Sequence, residues 1–477
     1  MTPRKPNILW ICSDQQRFDT VNALGNPHIH TPHLDRLVER GVSFERAYAQ
    51  SPVCTPSRAS FLTGRYPSSV KVNRNGIPSF PSDAVLVTRL LADAGYDCGL
   101  IGKLHLASAY KRVEPRADDG YSYWRYSHAP RDDWPTGHDY ADWVRERGHD
   151  LDELRLGSEG IPSELHQTNW CADRTIEFIR QRRSAPWLAS VNFYDPHPPF
   201  DPPTKYSDMY DATALPGPAF RESDLSEQAR LAGVDFQGRA RPPHALDLKD
   251  PLATDDGPGA APGAQDLKAA YYAMITFIDE QIGRIFAALE ESGELDDTLV
   301  IFMSDHGEML GDHGLVQKGC RFYEGLVRVP LIVSWPRQLR RDVRSEALVE
   351  LVDLAPTLLD LTRSPVPDSM QGRSLAPILR GVVPPQTHRT SVRCEYYDAL
   401  DLPGASMGTM WCNGRYKVVV YHGHDHGELY DLQDDPNEFV NLWAVPSAQS
   451  LKCDLVRQSF DASVSSLDLG AARIGPM

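Results

Sequence analysis

Short apolar runs alternate along this chain with longer segments whose apolar positions recur every three to four residues. The run Ile8, Leu9, Trp10, Ile11, Cys12 is short and uninterrupted, which predicts a strand buried on both faces. In 32–41, Leu34, Leu37 and Val38 fall on one helical face and Gly41 closes the segment. The alternation continues with a helix at 85–94 and a strand at 96–101, then a helix at 169–183 and a strand at 187–193. The longest helical pattern spans 267–289, with Tyr271, Met274, Ile275, Ile278, Ile282, Ile285 and Leu289 on its apolar face. Strands at 298–303 and 330–335 and a helix at 353–361 follow. This order predicts an α/β fold around a central mixed, mainly parallel sheet flanked by helices.

Polar residues gather just past the predicted strands: Asp14 after the first, Lys103 and His105 after another, Asp195 and His197 after a third, Asp305 and His306 after a fourth. In open α/β sheets ligands sit beyond the carboxyl ends of strands. Four strands are therefore expected to deliver side chains to one edge.

Two stretches interrupt the pattern. Residues 201–265 are rich in Pro, Gly, Asp and Ala without apolar periodicity, and read as an irregular insertion: a lid, an oligomer contact or a tolerated surface loop. The aromatics of 121–143 (Trp124, Tyr126, Trp134, Tyr140, Trp143) read as packing rather than substrate stacking. After Pro384-Pro385 the character changes to short strand-like runs at 410–416, 417–421 and 428–432 and a helix-forming tail. The expected division is a catalytic α/β domain over 1–384 and a C-terminal subdomain with a small antiparallel sheet over 385–477.

Composition narrows the function classes. With 49 Lys+Arg against 65 Asp+Glu the net charge is 49 − 65 = −16, so a basic nucleic-acid footprint is absent and an anionic membrane would be repelled. An anionic substrate needs a local convergence of cations to overcome that field. The eight cysteines are scattered without CxxC pairs, which reads as reduced, mostly buried thiols. The chain enters its first strand without a cationic leader and holds no run near the roughly 20 apolar residues of a membrane helix. A soluble, cytoplasmic protein is expected.

The stretch Pro52-Val53-Cys54-Thr55-Pro56-Ser57-Arg58, continued by Leu62-Thr63-Gly64, resembles the signature of the type I, formylglycine-dependent sulfatases of the alkaline phosphatase superfamily. The resemblance implies that Cys54 is oxidised to formylglycine by a maturation enzyme. The hydrated aldehyde carries two hydroxyls: one attacks sulfur, and the other later loses its proton so that sulfate leaves by carbon–oxygen cleavage. A helix beginning near Ser57 would add a favourable dipole.

Gly95 to His105, ending Gly102-Lys103-Leu104-His105, resembles the second sulfatase signature, with Cys98 and Leu104 as departures. Asp14-Gln15 and Asp305-His306, the latter running on through Gly307-Glu308 to Lys318-Gly319, resemble the family's metal-ligand pairs. Many sulfatases carry Asp where Gln15 stands and Asn where His306 stands, which draws the chain toward the choline-sulfatase, iduronate-sulfatase and phosphonate-monoesterase branches. The implied metal set is Asp14, Gln15, Cys54 (as formylglycine), Asp305 and His306. Family habit favours Ca²⁺; the hard oxygens also suit Mg²⁺, and the imidazole shifts the preference toward Mn²⁺ or Zn²⁺, with Mn²⁺ the main competitor.

By the same resemblance Lys103 contacts sulfate and His105 acts as base on the formylglycine, and Arg58 is placed to bond both the nucleophile and the metal carboxylates with its planar fork. His197 faces the leaving group in a role Lys318 could share, and Asn75 is a sulfate-side amide or a turn residue. Glu308, Asp312 and His313 are read as loop-shaping. His28, His30 and His33 are read as caps or surface residues, and His422, His424 and His426 as an exposed hairpin. The implied activity is hydrolysis of a small-molecule or sugar sulfate ester by a dimer or tetramer. A phosphonate monoester or phosphodiester hydrolase is the rival, and a non-catalytic binder of sulfated ligands a remote third. The family's phosphonate monoesterases lack the Lys-x-His pair present at Lys103 and His105.

Overall fold

A computed structural model describes residues 5–132, 136–156, 160–235, 240–246, 263–400 and 404–467. Among these residues thirteen strands form two sheets. The large sheet is built from β1 (Asn7–Ser13), β2 (Val42–Tyr48), β3 (Asp97–Gly102), β4 (Tyr121–Tyr126), β5 (Trp187–Asn192), β6 (Thr298–Ser304), β7 (Arg328–Val329), β8 (Leu331–Ser334) and β9 (Val343–Glu350). Its order is β4-β3-β5-β1-β6-β8-β2-β7, with β9 beside β2. From β4 to β6 every pairing is parallel, whereas β8 joins β6 and β2 antiparallel, so the sheet is mixed and mainly parallel.

The centre of that sheet is covered on both faces, which explains the uninterrupted apolar runs. Along β1, Ile8, Trp10 and Cys12 point to one face and Leu9 and Ile11 to the other. The first face meets Phe61 and Leu62 of the helix Cys54–Thr63, with the Trp10 and Phe61 rings 5.6 Å apart. The second meets Ile278, Ile282 and Ile285 of the helix Gly263–Glu291. That helix also steadies its neighbour: the Asp279 carboxylate accepts the N–H groups of His33 (3.1 Å) and Leu34 (2.7 Å) in the first turn of Pro32–Glu39.

The second sheet is fully antiparallel, in the order β10 (Val392–Tyr397), β11 (Met407–Cys412), β12 (Tyr416–Tyr421) and β13 (Gly427–Asp431). One face packs under the helix Gln449–Ser465 through Trp411, Val418, Leu429 and Leu455. The other contacts Val53, Cys320, Phe322 and Val327 and so lies directly behind Cys54.

Some expectations are corrected. The helix expected near Ser57 begins at Cys54 itself, because Pro56 falls in the first turn, where a missing N–H costs nothing. Within 201–265 the described residues are not irregular throughout: Glu222–Ala229 is an α-helix, and Thr204–Ser207, Ala212–Ala214 and Pro243–Ala245 are short helical turns. Polar contacts hold this segment, such as the Lys268 ammonium donating to the Pro216 carbonyl at 2.8 Å. Of the aromatics, Tyr126, Tyr140 and Trp143 are buried and Trp124 stacks on Tyr126 at 5.7 Å, so they pack; Trp134 lies outside the described residues.

One glycine controls the approach to the site. Gly102, the last residue of β3, has φ +93°, and a Cβ there would lie 2.0 Å from the Asn192 carbonyl oxygen of β5. Replacement by alanine combines a left-handed backbone with a backbone clash next to Lys103. Gly102→Ala is expected to lower unfolding free energy by ~3 kcal/mol or more, read as a shifted urea midpoint. A wild-type midpoint would contradict this account of the β3–β5 junction.

Candidate active site

Parallel order places the carboxyl ends of β3, β5, β1 and β6 side by side, and the sequence-predicted residues follow from them. Asp14 and Gln15 leave β1, Lys103 and His105 leave β3, Asp195 and His197 leave β5, and Asp305 and His306 leave β6. The helix Cys54–Thr63, all ten residues of which are buried, points its N-terminus at this row. Cys54 Sγ stands 3.1 Å from His306 Nε2, 3.1 Å from Lys318 Nζ, 3.8 Å from Asp14 Oδ1 and 3.9 Å from Lys103 Nζ.

Arg58 sits one helical turn beyond Cys54 and locks the helix to the strands. Its Nε donates to Asp305 Oδ2 at 2.9 Å, its Nη2 to Asp14 Oδ2 at 3.1 Å and its Nη1 to the Lys103 carbonyl at 3.0 Å. The planar fork thus ties together the ends of β1, β3 and β6. Ser57 adds a hydroxyl bond to the Asp305 carbonyl at 2.6 Å. Lys103 Nζ donates to Asp14 Oδ2 at 2.5 Å and lies 5.1 Å over the Tyr194 ring.

Backbone shape matters as much as residue type. Gln15 (φ 69°) and His105 (φ 58°) both adopt left-handed conformations that turn the chain sharply off the strand. Each is pinned: Gln15 N–H donates to Asp305 Oδ1 at 3.0 Å, and Glu114 accepts the N–H groups of His105 (2.6 Å), Leu106 (2.7 Å) and Ala107 (3.0 Å). Asn75 Oδ1 accepts the Thr55 N–H at 3.0 Å, satisfying a first-turn donor beside the nucleophile.

The electrostatics of these buried groups are decided by their neighbours. Burial and the Asp14 carboxylate push the Cys54 thiol up, but Lys103, Lys318 and His306 outweigh them and hold it well below its usual value. Burial also opposes ionisation of Asp14, and Lys103 and Arg58 more than offset it, leaving the carboxyl well below the ordinary range. Burial and Lys103 hold His105 below the usual imidazole range, and its Nδ1 has no partner among the described residues. Burial and Lys318 hold His197 well below that range too. His197 Nδ1 faces the Pro198 carbonyl at 2.8 Å, so the neutral ring donates there and keeps Nε2 as a lone pair.

Among the described residues, one His/Cys/Asp/Glu group is tight enough to hold a metal: Asp14, Cys54, Asp305 and His306, with donor atoms within 4.8 Å of one another. The donor set fits a divalent cation, since it offers two carboxylates and one imidazole nitrogen, while the Gln15 amide oxygen accepts Lys318 Nζ at 2.6 Å. His306 Nδ1 bonds the Gly307 carbonyl at 2.9 Å, which leaves Nε2 as the inward atom. His422, His424 and His426 stay apart from this group: His422 Nε2 bonds Thr409 Oγ1 at 3.0 Å, and the other two rings lie 5.2 Å apart.

Sequence reasoning passed over Glu114, Asn192, Tyr194 and Glu308. Each lies outside the quoted motifs or was read as loop-shaping; Asn192, Tyr194 and Glu308 act on residues distant in the chain, whereas Glu114 holds the backbone only seven to nine residues before it.

Comparison with known proteins agrees with this geometry. The family described as Sulfatase matches residues 6–364, and a second description, N-sulphoglucosamine sulphohydrolase, C-terminal, matches residues 311–463. The chain is 32% identical over 460 residues to the arylsulfatase of Clostridium perfringens, spanning 92% of this chain and 90% of that protein. It is 29% identical over 510 residues to a multifunctional alkaline phosphatase superfamily protein of Trinickia caryophylli, spanning 97% and 96%. Among solved structures, the phosphonate monoester hydrolase of Agrobacterium radiobacter superposes with a TM-score of 0.83 at 28% identity, over 97% of this chain and 96% of that one. With more than half of its length matched and a relative above 30% identity, the chain belongs to the sulfatase family.

Proposed function

We propose that the protein hydrolyses a sulfate monoester, small-molecule or sugar, at Cys54. The observation that carries this reading is the ring of nitrogen atoms around one buried thiol: Lys318 Nζ and His306 Nε2 at 3.1 Å and Lys103 Nζ at 3.9 Å. In a chain of net charge −16 such a convergence needs an anionic partner. Oxidised to formylglycine by a maturation enzyme, Cys54 would supply a hydrated aldehyde as nucleophile. A divalent cation held by Asp14, Gln15, Asp305 and His306, calcium ahead of manganese or magnesium, would polarise a sulfate oxygen as a Lewis acid.

The remaining roles belong to this chain's own side chains. Lys103 and Lys318 hold the anionic sulfate oxygens, and Asn75 fixes the loop beside them. His105, neutral and with an open nitrogen, takes the proton released when sulfate departs from the nucleophile. Leaving-group protonation goes to Lys318 rather than His197. The neutral His197 ring already commits its N–H to Pro198 and has no proton to give, while Lys318 is donor-only and adjacent to the nucleophile. The buried, unpaired cysteines other than Cys54 (Cys12, Cys98, Cys171, Cys320, Cys394 and Cys412) suit a reducing, cytoplasmic compartment. No helix among the described residues is long and apolar enough to cross a membrane.

A second reading, phosphonate monoester hydrolysis, draws on the fold match to the Agrobacterium enzyme. Parallel kcat/KM values on an aryl sulfate and a phenyl phosphonate ester separate the two: sulfate preference is expected, and a phosphonate preference of many orders would reverse the assignment. The mass of the Cys54 peptide, after coexpression with a maturation enzyme, should correspond to the aldehyde. An unmodified cysteine in active enzyme would sink the proposed nucleophile.

The division of labour between Lys318 and His197 is tested by leaving group. Lys318→Ala should lower kcat on an alkyl sulfate by about 10²–10⁴-fold, the usual worth of a positioned acid, and on an activated aryl sulfate by much less. His197→Asn should show no such leaving-group dependence. The opposite pattern would return the acid role to His197.

A further inference from the structure

We propose that Glu308 is a positioning residue that decides which end of the Gln15 amide faces the nucleophile, and through it holds Lys318 in place. The inference rests on the proposed role of Lys318 and adds the device that fixes it.

Glu308 is fully buried in the loop after β6. Its Oε1 accepts the backbone N–H groups of Leu310 (3.1 Å) and Gln317, and its Oε2 accepts Gln15 Nε2. All of these partners are N–H donors, so the carboxylate acts purely as an acceptor. The Gln15 backbone is pinned, its N–H held by Asp305 Oδ1 at 3.0 Å and its carbonyl accepting the Tyr271 hydroxyl at 2.5 Å, so only the side-chain amide is left to be oriented. With the amide NH₂ engaged by Glu308, the amide oxygen must face the site, where it accepts Lys318 Nζ at 2.6 Å. That same ammonium stands 3.1 Å from Cys54 Sγ. Lys318 therefore donates in two directions, to Cys54 Sγ and to the Gln15 oxygen, and the Gln15 amide passes the second bond on to Glu308.

The arrangement also accounts for an amide at position 15. A carboxylate there would face Glu308 across a hydrogen-bond distance, with like charges buried together. The negative charge of this corner sits on Glu308, one residue further from the nucleophile, and the amide relays it.

Glu308→Gln reverses the logic without changing shape. The two backbone N–H groups still require an oxygen, so the new NH₂ must turn toward Gln15. Gln15 then flips to offer its oxygen to position 308, and its own NH₂ meets the Lys318 ammonium, donor against donor. Gln15→Glu combined with Glu308→Gln restores every donor–acceptor pair with the charge moved inward.

The test compares wild type, Glu308→Gln, Gln15→Glu and the double variant. The readouts are kcat/KM on an alkyl and an aryl sulfate, divalent cation retained per chain after dialysis against chelator, and Tm. Glu308→Gln should lose about 10–100-fold in kcat/KM, the usual range for an outer partner of a metal site, with a larger loss on the alkyl ester, as for Lys318→Ala. The double variant should recover at least tenfold over either single one. Glu308→Gln within twofold of wild type on both esters, or a double variant no better than the singles, would overturn the proposal. If Glu308→Gln does not fold, Gln15→Glu alone decides: wild-type activity and cation retention there would refute it, and a loss of about tenfold in both would support it. If the wild type turns over no sulfate ester, the functional reading fails separately. Cation retention across the four proteins then still scores the coupling, with recovery in the double variant supporting it and additive losses refuting it.

Discussion

The fold converges on one buried charge cluster, in which the Arg58 guanidinium bonds Asp14 at the end of β1 and Asp305 at the end of β6. Removing water from two carboxylates and a guanidinium is costly, and only near-ideal bonding offsets it. That bonding exists because β1 and β6 are adjacent and parallel in register, Ser13 opposite Ser304, so both chains leave the sheet at the same height. Arg58 lies one turn beyond Cys54 in the same buried helix. A single side chain thereby ties the helix of Cys54 to the strand ends that carry the candidate metal ligands Asp14 and Asp305.

The surrounding cations do different work from Arg58, whose fork is already occupied by carboxylates. Lys103 and Lys318 keep ammonium groups beside Cys54, and they turn a chain of net charge −16 locally positive where an anion must bind. Each is anchored on one side by an oxygen acceptor, Asp14 for Lys103 and Gln15 for Lys318. Preorganised charge of this kind stabilises a developing anion without reorganisation during the reaction. His105 and His197, held neutral by burial and by the nearby ammonium groups, complete a site in which charged donors and neutral acceptors are spatially sorted.

Much of this was legible in the sequence, because the central strands are buried on both faces and read as plain apolar runs. Residues at their carboxyl ends then fall at one edge by topology alone, and Asp14, Lys103, His105, His197, Asp305 and His306 all arrive there. The peripheral strands were not legible. β2 carries half-buried Glu45 and Arg46 at a register shift, and β10 hides Arg393 and Glu395, which pair with each other at 2.9 Å. Charges satisfied inside a sheet erase the period-2 signal that would reveal it. Gln15 and Glu308 are 293 positions apart, so no local pattern could show that one orients the other. The polar turns within 201–246 were illegible for a related reason: their contacts are made with distant segments, as Ala219 shows by donating its N–H to Asp312 at 2.8 Å.

The central claim is that Asp14, Asp305 and His306 form one cation site against residue 54. An anomalous-difference map from crystals grown with Mn²⁺ tests it most directly. The account predicts a strong peak within about 2.0–2.5 Å of oxygen atoms of Asp14 and Asp305 and of His306 Nε2, beside residue 54. A peak elsewhere, with those three side chains bonded only to Arg58 and the lysines, would contradict it.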